Sequence, residues 1–435
     1  MNKLQGWLLV GVLCLIPVLF WLVQPYPKFT DLPTTLRSIG KATGLVGIVL
    51  FSISFLLSTR WKRLENWFGG LNRVYIAHHI IGGLAFILLL LHPLFLALRW
   101  IPKDFDRALR LLLPNREPAI YGWLSLGLLI LILYLTFFIR LRYQLWRSVH
   151  LLSGPAFLFG VLHVYSLPAT VTDVTAYLPL YIYMLVVSAL GLAAYLYRLV
   201  MQTLIMNKLE YDVINVENYG EDVIEVTLKP LKKKLSYESG QFVYVTFYDP
   251  QAAKPNLEPH PFTITSSPKE DEIKIVIKAL GDYTNQIQSL SEDTWALLEG
   301  PYGHFSFKNA DSEQQIWIAG GIGITPFLSM ARSLSRRDEK YNINLFYACN
   351  KEDEAVFLNE LRMIDRHYDN LRLFTKFADK EGFLTADYIK EKCGDLKKAA
   401  VLLCGPPMMT KTLKDQFEKE GVSYRNFFTE EFGVI

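Results

Sequence analysis

Long apolar runs crowd the chain up to about Met206 and give way to mixed sequence from there to Ile435. Six of these runs, Trp7–Val23, Ile39–Leu57, Val74–Leu98, Tyr121–Phe138, Leu145–Leu167 and Tyr177–Val200, approach the ~20 helical residues that cross a hydrocarbon core of about 30 Å. Such a chain must place its first half in a bilayer, because no other solvent suits that much uninterrupted apolar surface. Within a bilayer every backbone polar group must be paired internally, so the spans are expected to be helices. The first run follows one Lys and precedes Gln24-Pro25-Tyr26-Pro27, not a small-residue cleavage site, so it reads as a retained helix.

An even number of spans puts both ends of this half on one side. The connections Ser58–Arg73 and Arg140–Arg147 are basic, as cytoplasmic loops should be. The opposite connection, Arg99–Arg116, is basic too, and a surface-lying amphipathic helix at about Asp104–Leu113 accounts for it. The net charge of +3 comes with no basic stripe interleaved with aromatics, which argues against nucleic acid. The four cysteines, Cys14, Cys349, Cys393 and Cys404, form no CxxC pair, which argues against an iron–sulfur cluster, a structural zinc site or a disulfide framework.

After the last span the pattern changes to period-two strands. Asp212–Asn215, Val223–Lys229, Gln241–Phe247, Pro261–Thr265 and Ile273–Lys278 read as a small antiparallel barrel. From about Gln314, strands alternate with helices: Ile316–Ala319, Pro326–Ser335, Asn344–Ala348, Glu352–Asp365. That is the rhythm of a parallel sheet with crossover helices. The expected organisation is a six-helix transmembrane bundle over 1–205, an antiparallel β-barrel over 206–310, and an α/β Rossmann-like domain over 311–435.

Five of the eight histidines, His78, His79, His92, His150 and His163, fall in the expected spans. Ionisable side chains inside a bilayer are rare and tend to be functional. His78 and His92 lie 14 residues apart, so they differ by only about 40° in direction and by about 21 Å along a helix. His150 and His163 lie 13 apart, a rise of about 20 Å. With both termini inside, His78 would face His150 near the cytoplasm and His92 would face His163 near the outside. Two stacked His–His clamps suit two haems held by paired imidazoles. One histidine alone would read as a packing residue or an interhelical hydrogen-bond donor; two matched pairs do not. A straight helix leaves His150 and His163 about 140° out of phase, and a kink at Gly154-Pro155 is expected to restore the phase. His79 is the rival to His78, with the matching 13-residue step to His92 but a poorer phase.

Four motifs mark the second half. His260-Pro261-Phe262-Thr263-Ile264-Thr265-Ser266-Ser267 sets an aromatic and a hydroxyl on alternate sides of an extended backbone, which can stack a flavin ring and bond its edge. Gly281-Asp282-Tyr283-Thr284 reads as a turn opening a helix whose free N–H groups suit a pyrophosphate, with Lys278 adding charge. Gly320-Gly321-Ile322-Gly323-Ile324-Thr325-Pro326 follows a strand and opens a helix, the context of a phosphate-binding loop. Cys404-Gly405-Pro406-Pro407-Met408-Met409 follows the strand Ala400–Leu403, where the thiol can line a nicotinamide crevice or simply be a buried small residue.

These motifs, with Glu299-Gly300-Pro301-Tyr302-Gly303, stand in the order typical of the ferredoxin–NADP reductase superfamily. Together with His78-x-x-x-Gly82 and His92-Pro93, they make nearly the whole chain resemble the NADPH oxidase and ferric reductase family, in a prokaryotic form. The resemblance implies hydride transfer from NADPH to FAD, then single electrons through two b-type haems to oxygen, giving superoxide, or to a ferric or cupric chelate. It implies NAD(P)H contacts by Gly320, Gly321, Gly323, Thr325, Pro326, Gly405 and Pro406, and chemistry at Thr263, Cys404 and the aromatic Phe432. Lys351 stands near where relatives place Arg for a 2′-phosphate, so NADPH is preferred but NADH stays open. A haem-bearing subunit that feeds a partner is the reading from another class. The expected setting is a bacterial plasma membrane with both termini cytoplasmic and no obligatory protein partner.

Overall fold

The computed structural model describes residues 4–24, 27–114, 117–139, 141–166, 174–204, 208–248, 258–335, 338 and 340–430. It divides into two compact units, Met1–Met206 and Asn207–Ile435.

The first unit is helical: α1 Gln5–Leu22, α2 Leu32–Ser58, α3 Lys62–Phe68, α4 Leu71–Leu98, α5 Phe105–Leu111, α6 Glu117–Phe138, α7 Tyr143–Leu151, α8 Ser153–Tyr165 and α9 Val174–Leu204. Among the described residues six stretches are long and apolar enough to span a membrane, α7 and α8 together making one of them. The helix α2 begins several residues earlier than its apolar run, because Asp31 caps it: its carboxylate accepts from the Thr34 N–H at 2.8 Å, and Pro33 occupies the first turn. The antiparallel pair α2–α4 packs through small residues. A Cβ at Gly40, Gly44 or Gly47 would lie 2.9 Å from Leu96, 2.6 Å from His92 and 2.8 Å from Leu89 respectively, so glycine is what lets the two backbones approach. The expected surface helix is α5, capped by Asp104, with Phe105 and Leu109 exposed.

The fifth span is interrupted one residue before Ser153, at Leu152, which caps both α7 and α8. Pro155 offers no N–H to the Leu151 carbonyl four residues earlier. That carbonyl accepts instead from the Tyr195 hydroxyl at 3.0 Å. Gly154 makes the approach possible, since a Cβ there would sit 2.0 Å from the Tyr195 ring.

The second unit opens with a six-stranded antiparallel sheet of β1 Leu209–Asn218, β2 Val223–Pro230, β3 Phe242–Tyr248, β4 His260–Thr263, β5 Ile273–Lys278 and β6 Trp295–Tyr302. Their order is β4-β3-β6-β1-β2-β5, and a bridge between Ile264 and Ile275 closes the two edges into a barrel. Val213, Val226, Leu228, Val243, Val245 and Ile275 fill it. The central strand β6 escapes the sequence reading because its apolar alternation is broken by Glu299 and Gly300. A five-stranded parallel sheet follows: β7 Gln314–Gly320, β8 Asn342–Cys349, β9 Leu371–Phe377, β10 Ala400–Cys404 and β11 Phe427–Glu430, in the order β11-β10-β7-β8-β9. The chain reverses direction across the sheet between β7 and β10, so the ligand crevice of such a fold lies at their carboxyl ends. Its helices, with the short α10 Asp282–Gln286 of the barrel domain before them, are α11 Thr325–Ser333, α12 Leu358–His367, α13 Ala378–Glu381, α14 Ala386–Cys393 and α15 Pro407–Lys419. The helix expected over Glu352–Asp365 starts only at Leu358, because Phe357 takes a left-handed backbone (φ 64°) after a single 3-10 turn.

Candidate functional site

In the membrane unit the histidines stand in two facing pairs. The ring centres of His78 and His150 are 6.1 Å apart, and those of His92 and His163 are 6.3 Å apart. His79 is exposed on α4 and its ring lies 5.8 Å from that of His78, to the side of the pair. Backbone carbonyls fix three of the rings. His78 Nδ1 lies 2.9 Å from the Ser54 oxygen, His92 Nδ1 2.6 Å from the Gly40 oxygen, and His163 Nδ1 2.5 Å from the Pro118 oxygen. A carbonyl only accepts, so each Nδ1 carries the proton and each Nε2 keeps its lone pair. His150 is held by its ring, stacked on Trp146 at 5.3 Å, while its buried Nδ1 has no hydrogen-bond partner.

This arrangement fits a metal held between two imidazoles. Two metal–nitrogen bonds of about 2 Å, each extended by about 1 Å to the ring centre, span about 6 Å. Among the described residues no group of three or more His, Cys, Asp or Glu side chains could hold a metal ion. Gly82, one turn beyond His78, has nothing among the described residues within 4 Å of where a Cβ would stand. The sequence reading did not find Gly44 and Gly122, whose absent Cβ atoms would press to 2.6 and 3.0 Å of His92 and His163 Nδ1. The signal was present as glycine on the faces opposite the histidines, but it needs the helix pairing to be read.

In the barrel domain, β4 sets His260 at the lip, Pro261 exposed, and Phe262 and Thr263 buried. Phe262 belongs to the barrel core, which corrects the expectation that it offers a stacking face: β4 turns it inward against β3 and β5. His260 is the aromatic ring at this lip, stacked on Tyr283 with centres 3.6 Å apart and planes 13° apart. Burial pulls the His260 imidazole down to about 4 and pushes the Tyr283 phenol up. Among the described residues, His260 Nε2 and the Tyr283 hydroxyl are both buried without hydrogen-bond partners. Thr284 turns its hydroxyl back to the N–H groups of Leu280 and Gly281 at 2.9 and 3.0 Å. Those two donors are therefore engaged within the turn, not free for a pyrophosphate. Lys278 lies 3.4 Å from the Asp222 carboxylate.

At the switch point the glycines divide their work. Cβ atoms at Gly320 and Gly323 would come within 2.7 Å of Met409 Sδ and 2.2 Å of the Cys404 oxygen, and one at Gly405 would come 3.1 Å from Gly320 Cα, so these three let the ends of β7 and β10 press together. Gly321, at φ +52°, is the one of the four with nothing among the described residues within 4 Å of a Cβ position. Thr325 and Pro326 are buried, and the Thr325 hydroxyl donates to the Ile322 oxygen at 3.2 Å. Pro406 and Lys351 are exposed. Cys404 has no exposed surface and packs with Ala319, Ile324 and Phe327, which corrects the expectation that its thiol lines the crevice. It points into the sheet's apolar layer because β10 is the second-to-edge strand, covered on both faces. Phe432 lies outside the described residues.

Comparisons with known proteins fall on the same blocks. Residues 43–161 match a ferric reductase-like transmembrane component, 208–320 an FAD-binding domain, and 317–415 an oxidoreductase NAD-binding domain. The phenol hydroxylase P5 protein of Acinetobacter pittii is 26% identical over 50% of this chain and 66% of its own length. NADPH oxidase 1 of Mus musculus is 29% identical over 34% of this chain and 26% of its own. The chain thus spans under two thirds of these relatives. A flavohemoglobin from Malassezia yamatoensis shares the fold with a TM-score of 0.50 at 17% identity, over 92% of this chain and 97% of that one. The protein is a multi-pass membrane oxidoreductase in which a ferric reductase-like transmembrane component precedes FAD- and NAD-binding domains, an arrangement that fits the NADPH oxidase and ferric reductase family.

Proposed function

We propose that this protein carries electrons from cytosolic NADPH through FAD and two b-type haems to oxygen on the outer side, giving superoxide. The observation that carries the reading is the double His–His arrangement, 6.1 and 6.3 Å across, with three rings fixed through Nδ1. His78 and His150 would hold one haem; His92 and His163 would hold the other. Flavin accepts a two-electron hydride and yields single electrons, the only kind a haem iron takes. For this purpose the chain supplies Thr263 and His260 at the flavin edge, Gly321 and Lys351 toward the nicotinamide nucleotide, and Phe432 as a gate over the flavin. The orientation that serves this route keeps both termini in the cytoplasm, in a plasma membrane, and needs no partner protein.

A ferric or cupric chelate is the alternative acceptor. His92 binds the Gly40 carbonyl, so Arg37 and Lys41, on the same helix, stand at the level of the outer pair, and their charge suits an anionic chelate. The test is an anaerobic optical titration of the purified protein with FAD and NADPH. About two b-type haems per chain, reduced through NADPH, would support the route, and admitting air or ferric chelate would then separate the acceptors. Folded protein without haem, made under adequate haem supply, would remove it, and a required partner would favour an electron-transfer subunit.

A further inference from the structure

One network in the second unit joins the phosphate-loop helix to the flavin strand. The helix α11 starts at the Gly320–Gly323 turn, and its later turns carry Ser329 and Arg332. The Ser329 hydroxyl donates to the Ser266 carbonyl at 2.9 Å, and Arg332 Nη1 donates to the Thr265 carbonyl at 3.2 Å. Those carbonyls lie two and three residues past Thr263, on the continuation of β4. The same Nη1 donates to Glu225 Oε1 on β2 at 2.9 Å, while Nε and Nη2 grip both oxygens of Glu360 on α12 at 2.7 and 2.8 Å. Lys269 closes the ring by donating to the Ser333 carbonyl at 3.2 Å.

The network is dry on its strand side, where Glu225 is 2% exposed and Thr265, Ser266 and Ser329 are fully buried, while Glu360 is partly exposed. A planar guanidinium holds two carboxylates and a carbonyl in fixed directions, which a flexible ammonium does not. Its two acids offset the charge, with the Lys274 ammonium 3.8 Å from Glu225 completing the balance. Such a desolvated pair contributes little net stability compared with apolar packing, so fixing a geometry is the better account of it. The surroundings agree: Gly323 and Gly405 pack the loop onto β10, which leaves the α11 ties as polar contacts that set the loop against β4.

We infer that Arg332 and Ser329 are positioning residues that fix the flavin-edge strand against the nicotinamide loop, and so set the distance over which hydride passes. This rests on the reading that hydride passes from NADPH to FAD in this unit.

The test compares wild type, Ser329→Ala, Arg332→Lys and Glu360→Gln as full chains in detergent. Anaerobic stopped-flow would measure flavin reduction per bound FAD against NADPH concentration. Hydrogen exchange on FAD-free protein would follow residues 263–267. A misplacement near 1 Å costs hydride transfer about a hundredfold, so the limiting rate should fall at least about tenfold with NADPH affinity within about threefold. Exchange at 263–267 should rise in Ser329→Ala, a change across the domain boundary from the mutated helix. Variants that lose only melting temperature or FAD occupancy, with an unchanged rate per bound flavin, would overturn the inference. Unchanged exchange at 263–267 would overturn it as well. If wild-type flavin is not reduced by NADPH, the functional reading fails, and the exchange arm alone decides the tie.

Discussion

The Tyr195 hydroxyl donates to the carbonyl of Leu151 at 3.0 Å, the group that Pro155 leaves without its helical partner. The bond lies at the break between α7 and α8, and the histidines on either side of it, His150 and His163, both face histidines of α4. In Tyr195→Phe the carbonyl has no donor in an apolar setting, a loss of about 1 kcal/mol. Thermal melting in detergent should drop by a few degrees, and on the proposed route a haem held by His78 and His150 should shift its spectrum while one held by His92 and His163 does not. Identical melting and spectra would mean that Pro155 alone sets the turn.

The facing rings make a stoichiometric prediction. If each pair holds a haem as proposed, His78→Ala and His150→Ala should each leave about one haem per chain, as should His92→Ala and His163→Ala, with the surviving spectrum differing between the two sets. His79→Ala should retain both, because that side chain stands outside the pair. Pyridine haemochrome quantitation against protein would settle it; loss of a haem in the His79 variant alone would reassign the inner ligand.

Close packing at the outer pair can be probed without touching a histidine. A Cβ at Gly44 would lie 2.6 Å from His92 Nδ1, whereas one at Gly11 would meet nothing within 4 Å. Gly44→Ala should push the His92 ring off the Gly40 carbonyl and, on the proposed route, lower haem occupancy at the His92–His163 pair severalfold, and Gly11→Ala should be silent. Equal haem content in both variants would show that α2 can retreat freely.

Much of this was legible in the chain because it is local. Six apolar runs, the 14-residue step from His78 to His92, and the order of glycine-rich motifs follow from period and spacing alone. The kink was legible as Pro155, but not its partner, since Tyr195 is 44 residues from Leu151. Phe262 was misread because alternation tells which residues share a face and not which face is inward. Cys404 was misread for a similar reason: a strand's end can lie at a crevice while its side chain points into the layer beneath. The network around Arg332 has no sequence signal, as Glu225 lies 107 residues away.

His260 predicts a pH dependence. Burial lowers its folded pKa to about 4, below the usual ~6.5. The unfolded chain therefore binds the extra proton first as pH falls. Stability tied to the neutral ring is present above about 6.5, is lost progressively between about 6.5 and 4, and is flat below, by at most about 3 kcal/mol. His260→Phe should flatten that limb in melting curves of the full chain, read by hydrogen exchange of β4. An unchanged slope would place the acid sensitivity elsewhere.

Cys404 lets the corrected geometry be checked by chemistry. Its thiol has no exposed surface, and burial with the Glu430 carboxylate pushes its pKa well above the ordinary value. The reactive species is the thiolate, so two independent factors, access and ionisation, slow its alkylation. At pH 8, iodoacetamide should modify Cys404 only as fast as the sheet opens, with the rate rising steeply on adding denaturant. Mass mapping over time would show this. Labelling at the rate of a free thiol would mean that the crevice reaches the sulfur after all. Substitution separates packing from chemistry: Cys404→Ser buries a hydroxyl and should cost about 1–3 kcal/mol if it finds no partner, whereas Cys404→Ala should be milder. If Cys404→Ala instead abolished flavin reduction by NADPH while melting normally, the thiol would be acting on the nicotinamide, and its burial would describe only the closed state of the crevice.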